Sequence, residues 1–513
     1  MKTWIFSLLV LFTVNRSTAQ TATPNDFAVK AFHIDLRIEV MTMPALKAFA
    51  QQLRRNGINT LIMEYEATYP YEKHPLISNK YAYTKAEISS FIAFCNQLRL
   101  DVIPLQQSFG HVEYILRHYR YAALREDEQD LSQVCPLETM QDSILFTDLY
   151  TELAATHTSR YIHIGGDETH LLGHCARCRA MAEKKGISKL YTDYIKMLCN
   201  IVTRLGKRPV LWADIAIKYP DALQSLPKET IFVDWNYGWY LNRFGDHRKL
   251  VESGFEIWGA PALRSSPDNY YLTQWEKHFN NIRDFVPIAR QLGYKGIVMT
   301  SWSTSGVYSY LYEAENNVSD LSAVRHVYPI TGFNILLAAY IRSITMPEPL
   351  NIEAFITGYC AKTYGFTTSQ ATVFRQALLA APYEVNNGVV KSPVPLSLTA
   401  LADSVTKAAT LFKQLKPLKN TAAFEQYRLM ADIRVQYISF LVIERQANAG
   451  SFTAAALPPI LKKLRVLLAN EILLDQRFIE LNRNSFYPSE LKEENRLRSL
   501  KLRMLYDRLG KLK

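Results

Sequence analysis

Tyr161-Ile162-His163-Ile164-Gly165-Gly166-Asp167-Glu168-Thr169 is a short apolar run that ends in two glycines and two adjacent acids. The run is strand-like. Neighbouring carboxylates repel and are costly beside apolar chain unless each has a task and a partner. Gly165 and Gly166, without a Cβ, let a ligand or another backbone come close at the strand's C-terminal end. In an α/β barrel that end carries the catalytic residues.

Outward from this stretch, short apolar runs alternate with amphipathic segments from residue 29 onward, the pattern of βα units around a parallel sheet. Eight strands are predicted, at 30–38, 60–65, 101–106, 161–165, 209–214, 231–235, 255–260 and 296–302. Eight such units predict a (β/α)8 barrel, residues 28–345. A doubly wound open sheet is the alternative, but no Gly-rich phosphate loop follows the first strand. Beyond residue 345 the strands stop. Helices are predicted at 351–365, 369–380, 401–415, 421–448, 459–482 and from 489 to the end, an all-α region over 350–513, with a loop around Asn386-Asn387-Gly388. The basic helix that closes the chain reads as a solvated face.

The composition, 48% hydrophobic and 21% charged, is globular. The net charge of +11 is spread along the chain, without the basic block of a nucleic-acid-binding tail. Residues 1–19 read as a cleaved signal peptide: Lys2, an apolar run from Trp4 to Val14, then Ser17-Thr18-Ala19. Export is therefore expected, with no membrane span. Among six cysteines, Cys175 and Cys178 have the spacing of half a zinc site, with His170 and His174 nearby. No second CxxC or HxxxH completes it, and a local disulfide or two free thiols are alternatives.

Placed at strand ends, the polar residues converge. The first strand contributes Asp35 and Arg37, the second Glu64 and Glu66, and the third leads to His111. The fourth gives Asp167 and Glu168, the fifth Trp212 and Asp214, the sixth Trp235 and Tyr237, the seventh Trp258 and the eighth Trp302. Four of seven tryptophans at one mouth suggest a sugar pocket, since indole faces stack on pyranose C–H faces while carboxylates and Arg take the hydroxyls.

The His-x-Gly-Gly-Asp-Glu run resembles the signature of glycoside hydrolase family 20, the retaining β-N-acetylhexosaminidases. Glu64-Tyr65-Glu66, Pro70-Tyr71-Glu72, Lys80-Tyr81-Ala82-Tyr83 and Phe109-Gly110-His111 are similar to the hexosaminidase D type within it. The resemblance covers roughly residues 30–345. It implies that Glu168 is the general acid/base and that Asp167 orients the substrate's 2-acetamido group, whose carbonyl oxygen attacks C1. It further implies that His111 contacts the acid, with Glu64 or Glu66 behind it. Arg37, Glu64, Glu66, Trp212, Asp214, Trp235, Tyr237, Trp258 and Trp302 are the candidate sugar-binding residues. A raised pKa for Glu168 beside ionised Asp167 is expected. No cofactor or catalytic metal is called for. The expected partner is a glycan with terminal N-acetylhexosamine; the alternative is a catalytically silent glycan-binding protein on the same barrel, and a zinc hydrolase using His170 and His174 is supported least.

Overall fold

The computed structural model describes residues 26–303, 308–312, 319–323 and 327–512, so the leader 1–19 lies outside it. The strands are β1 (Val29–Asp35), β2 (Thr60–Glu64), β3 (Asp101–Leu105), β4 (Tyr161–His163), β5 (Arg208–Trp212), β6 (Ile231–Trp235), β7 (Glu256–Ala260), β8 (Ala262–Arg264) and β9 (Gly296–Ser301). β1 to β7 and β9 run parallel in that order, and β9 pairs back onto β1, which closes an eight-stranded barrel. The short β8 lies beside β9. Every predicted barrel strand is present. The first ends three residues early, at Asp35, where its carboxylate takes the Arg37 N–H at 3.0 Å and turns the chain.

Period-two alternation sorts the side chains. Inward positions such as Ala31, Ile62, Ile103, Val210, Val233, Trp258 and Val298 fill the barrel's interior. Outward positions such as Phe32, Leu61, Val102, Leu211 and Ile297 pack against the helical ring. The helices begin where polar caps allow. Met43–Arg55 starts at Thr42, whose side chain accepts from Ala45 N, and Lys85–Gln97 starts with a reciprocal Thr84–Glu87 capping box. Ile187–Arg204 buries Leu190, Tyr194, Ile195, Leu198 and Val202 along one face.

The C-terminal region is helical as predicted: Ile352–Tyr364, Thr368–Leu378, Leu398–Gln414, Thr421–Ala447, Leu457–Asn482 and Pro488–Gly510. One correction concerns the loop expected at 386–388. It is the turn of a hairpin between Glu384–Asn386 and Val389–Lys391, with Asn387 and Gly388 both at positive φ. An Asn-Gly pair suits a two-residue turn of that hand.

This region packs on the barrel's outer shell. Phe374, Phe412, Phe424, Tyr427 and Phe478 share one apolar cluster with the barrel helices, and Tyr437 stacks on Tyr271 at 3.8 Å. The last helix is not simply a solvated basic face. Arg498 is buried in it, paired with Glu471 at 3.1 Å, and Glu490 accepts the Val40 N–H at 2.8 Å. No helix among the described residues is long and apolar enough to cross a membrane.

Candidate active site

A cavity of about 440 Å³ opens at the C-terminal mouth of the barrel. Its lining combines the polar residues Arg37, Gln107, His111, Asp167, Glu168 and His170, the aromatic residues Trp235, Tyr237, Trp239, Phe244 and Trp302, and Arg243, Ser265, Ser266 and Lys277.

The acid pair leaves β4 through Gly165 and Gly166, both at positive φ. A Cβ on Gly165 would sit 1.8 Å from Gln107 Oε1, so the glycine is what admits that side chain. Beyond the glycines the chain stays tense. Glu168 and His111 hold φ of 47° and 55°, a left-handed conformation rare outside glycine, and Glu66 holds 45°. The Glu168 N–H donates to Asp214 Oδ2 at 3.1 Å, and Trp235 Nε1–H donates to the other Asp214 oxygen at 3.3 Å. Asp214 thus ties the acid's backbone to the aromatic wall.

His111 Nε2 lies 3.1 Å from Glu168 Oε2 and 3.6 Å from Asp167 Oδ2. Burial opposes a charged ring, but Asp167, Glu168 and Glu113 outweigh it and raise the His111 pKa to about 10. The hydrogen bond from His111, working against desolvation, holds the Glu168 carboxyl below its ordinary value. Asp167 moves the other way. Burial pushes its carboxyl up to about 8, with His111 opposing and the neighbouring acids Asp214, Glu168 and Glu64 assisting. This reverses the sequence-based expectation. The cause is access: the Glu168 side chain is 40% exposed and faces the imidazolium, whereas Asp167 is buried with Oδ1 unpartnered among the described residues.

The rest of the lining is largely aromatic. Trp302 Nε1–H donates to Tyr237 OH at 3.0 Å, and Tyr237 stands 5.1 Å from Trp235 and 5.3 Å from Trp239. Arg37 lies over the Trp302 ring, 5.4 Å from its centre, and folds its fork back onto Asp35 at 3.0 and 2.9 Å. Burial would raise the Asp35 pKa, but the Arg37 guanidinium outweighs it and keeps the carboxyl well below the usual range.

The structure therefore brings together Arg37, His111, Asp167, Glu168, Trp235, Tyr237 and Trp302, and places the other sequence candidates outside the cavity wall. Glu64 lies beneath it, with its two oxygens taken by His33 at 2.8 Å and Gln107 at 3.1 Å, so it does not support His111 directly. Glu66 faces Arg37 at 3.9 Å. Trp212 is fully buried below the floor, against His163 and Trp302. Asp214 positions Glu168 from behind. Trp258 is the correction with the clearest cause: it is the middle residue of β7, paired with Gly296 at the start of β9, and its ring packs on Tyr161 deep in the barrel.

The residues missed carried uneven signals. Gln107 continues the inward alternation of Ile103 and Leu105, and Trp239 belongs to the aromatic run Trp235-Asn236-Tyr237-Gly238-Trp239-Tyr240. Ser265, Ser266 and Lys277 arrive from the segment after β7, and nothing local marks them. His170 reaches the cavity, while His174 pairs with Asp127 at 2.7 Å outside it, so the two histidines do not form one metal site.

Two adjacent acids and a set of aromatic rings in the mouth of a (β/α)8 barrel suit a glycoside hydrolase, the class to which comparison with known proteins assigns the chain. The family model described as "Glycosyl hydrolase family 20, catalytic domain" matches residues 35–318, more than half of the chain, and the chain belongs to that family. Hexosaminidase D of Bos taurus is 28% identical over 303 residues, which cover 56% of this chain and 87% of the bovine protein. Hexosaminidase D of Homo sapiens is 27% identical over 303 residues, 56% of this chain and 62% of the human one. Among solved structures, a β-N-acetylhexosaminidase from Bacteroides fragilis NCTC 9343 aligns with a TM-score of 0.49 at 16% identity, covering 66% of this chain and 69% of that one.

Proposed function

We propose that the protein is an exported, exo-acting, retaining β-N-acetylhexosaminidase that releases terminal β-linked GlcNAc or GalNAc by substrate-assisted catalysis. The observation that carries this reading is the placement of acids. Among the described residues the carboxylates that line the cavity are Asp167 and Glu168, consecutive in the chain, and five aromatic side chains share the lining. A retaining glycosidase with its own nucleophile sets a second carboxylate about 5 Å across the bond. Here the nucleophile comes from the substrate's acetamido oxygen.

The parts then take roles. Asp167 Oδ1, buried and without a hydrogen-bond partner among the described residues, accepts the acetamido N–H, and the positive charge that develops there favours the Asp167 anion against the burial that raises its pKa. The Tyr237 hydroxyl accepts from Trp302 and keeps its own proton for the acetamido carbonyl. Glu168 protonates the leaving oxygen and later takes a proton from the incoming water. A sugar closing over the half-exposed Glu168 removes its water, which raises its pKa toward the protonated form that the acid step requires. The apolar sugar face rests on the Trp235–Trp302 wall. Export rests on the leader at 1–19, and the relatives' names support the substrate class.

The test is hydrolysis of the 4-nitrophenyl β-glycosides of GlcNAc, GalNAc and glucose in parallel. Cleavage of the N-acetylated pair alone is expected, with the ratio within the pair reporting the sugar preference. Equal cleavage of the glucoside would overturn the acetamido-assisted mechanism. No cleavage of any, on folded protein, would favour the glycan-binding alternative.

A further inference from the structure

The half zinc site read at Cys175 and Cys178 acquires its other half in three dimensions. Cys135 and Glu126, from the long segment after β3, meet the two cysteines so that all four ligand atoms lie within 4.8 Å of one another. Cys135 Sγ is 3.5 Å from Cys178 Sγ and 4.0 Å from Cys175 Sγ. Tetrahedral zinc with bonds of about 2.3 Å to sulfur sets its sulfurs about 3.8 Å apart, midway between these values. A disulfide would use two of the three sulfurs and leave the third stranded against the bond.

We propose that Cys135, Cys175, Cys178 and Glu126 form a closed structural zinc site that staples the two loops carrying the catalytic residues. Three thiolates and one carboxylate suit zinc, a borderline-soft cation that prefers four ligands. Glu126 adds an independent sign. One of its oxygens accepts the Cys175 N–H at 2.8 Å, while the other, Oε2, is buried without a hydrogen-bond partner among the described residues. A buried carboxylate oxygen left unpaired is costly, and a cation beside it removes the cost. The outer contacts fit as well. Cys175 caps the helix Ala176–Lys185 and its sulfur accepts the Cys178 N–H at 3.4 Å, and Arg177 Nη2 donates to Cys135 Sγ at 3.7 Å. Such contacts offset the negative charge of a thiolate-rich site.

The surroundings explain why a metal is useful there. Cys135 and Cys178 with Leu190 form the centre of a small apolar cluster apart from the main core. Through it the β3 loop that carries His111 meets the β4 loop that carries Asp167 and Glu168. The same junction is bridged by the Leu171 N–H to Gln133 Oε1 at 2.9 Å and by a backbone bridge between Gly110 and Gln133. Where little apolar area is available, a metal supplies the cross-link.

The test uses the full chain purified without chelator or added reductant. Elemental analysis is expected to give about one zinc per chain, released in step with mercurial titration of three protected thiols. Cobalt exchanged into the site is expected to show thiolate-to-cobalt charge transfer and the intense visible bands of a tetrahedral centre. Glu126→His, which keeps a fourth ligand, should retain zinc. Glu126→Ala should release it to a competing chelator at least about tenfold faster, and Cys135→Ser should empty the site. If Cys135→Ser does not fold, the two Glu126 variants carry the comparison. Three freely alkylated thiols with less than about a tenth of an equivalent of metal would overturn the proposal, as would a peptide mass showing a disulfide between any two of the three cysteines.

Discussion

The barrel holds two layers, four residues apart along the same strands, that obey opposite rules. The lower layer, with Ala31, Ile103, Val210, Val233 and Trp258, is dry and apolar. Its polar atoms are satisfied nearby, as where Trp258 Nε1–H donates to Glu256 Oε1 at 3.0 Å. The upper layer, with Asp35, Gln107, Asp167, Asp214 and Tyr237, is crowded with buried charge and rimmed by residues held at positive φ. The strands supply both with the same alternation. What separates them is height, and the lesson is that a residue's type at a strand position does not reveal its task until the register is known. A tryptophan low in the barrel is a packing block; one a turn higher is a sugar platform.

The sharpest way to break this comparison is to remove a tryptophan from each layer. Trp258→Ala leaves a hole between Tyr161 and Gly296, at a position with no exposure, and should destabilise the fold by about 3–5 kcal/mol in urea unfolding. Gly296 has no Cβ to fill the gap, because one there would already stand 2.5 Å from the Trp258 ring. Trp302→Ala, at the partly open wall, should cost far less stability and fall mainly on KM. Equal losses of stability in the two variants would dissolve the distinction between the layers.

Glu168→Gln probes the upper layer alone. Loss of the positioned acid should lower kcat/KM on an aryl N-acetyl-glycoside by at least about 10²-fold, with the unfolding midpoint little changed because the side chain is half-exposed. An unchanged rate would remove Glu168 from the chemistry. Gly165→Ala joins the two layers' rules at one point. The new Cβ would need both the φ of +72° and the space of the Gln107 amide, so a loss of about 1–3 kcal/mol is expected together with reduced activity. Wild-type stability in this variant would show that the turn accepts a side chain.

The sequence made the fold legible because each barrel strand is bounded by turn residues and alternates or runs apolar, while the helices repeat at 3.6. The acid pair and His111 were legible because their runs are long and specific. Trp258 was misplaced although the strand's end was read correctly at Ala260: it stands two residues before that end, where its ring points into the packed interior and not the mouth. Glu64 and Asp214 were read as sugar contacts because a buried acid at a strand end looks the same whether it faces a ligand or His33 and a backbone N–H. The Asn387-Gly388 hairpin was legible but overlooked; the dipeptide is a turn signal that a helical context masked. The cysteine cluster was only half visible, because Cys135 and Glu126 lie some forty and fifty residues from Cys175 in the chain and reach it only through the fold.

The smallest predicted effect concerns the proton. The acid step needs Glu168 protonated, so kcat/KM falls as pH rises through the pKa of Glu168 in the free enzyme. His111, with its pKa raised to about 10, is a cation throughout the acidic and neutral range, and its hydrogen bond holds Glu168 low. Taking that cation away stabilises the neutral acid relative to the carboxylate, and the alkaline limb moves upward. His111→Gln keeps a hydrogen-bond donor without the charge, so it should shift the limb to higher pH while lowering the maximal rate. The acidic range in which the free enzyme holds its acid protonated would then widen as its rate declines. An alkaline limb that stays in place would mean that the imidazolium does not govern Glu168.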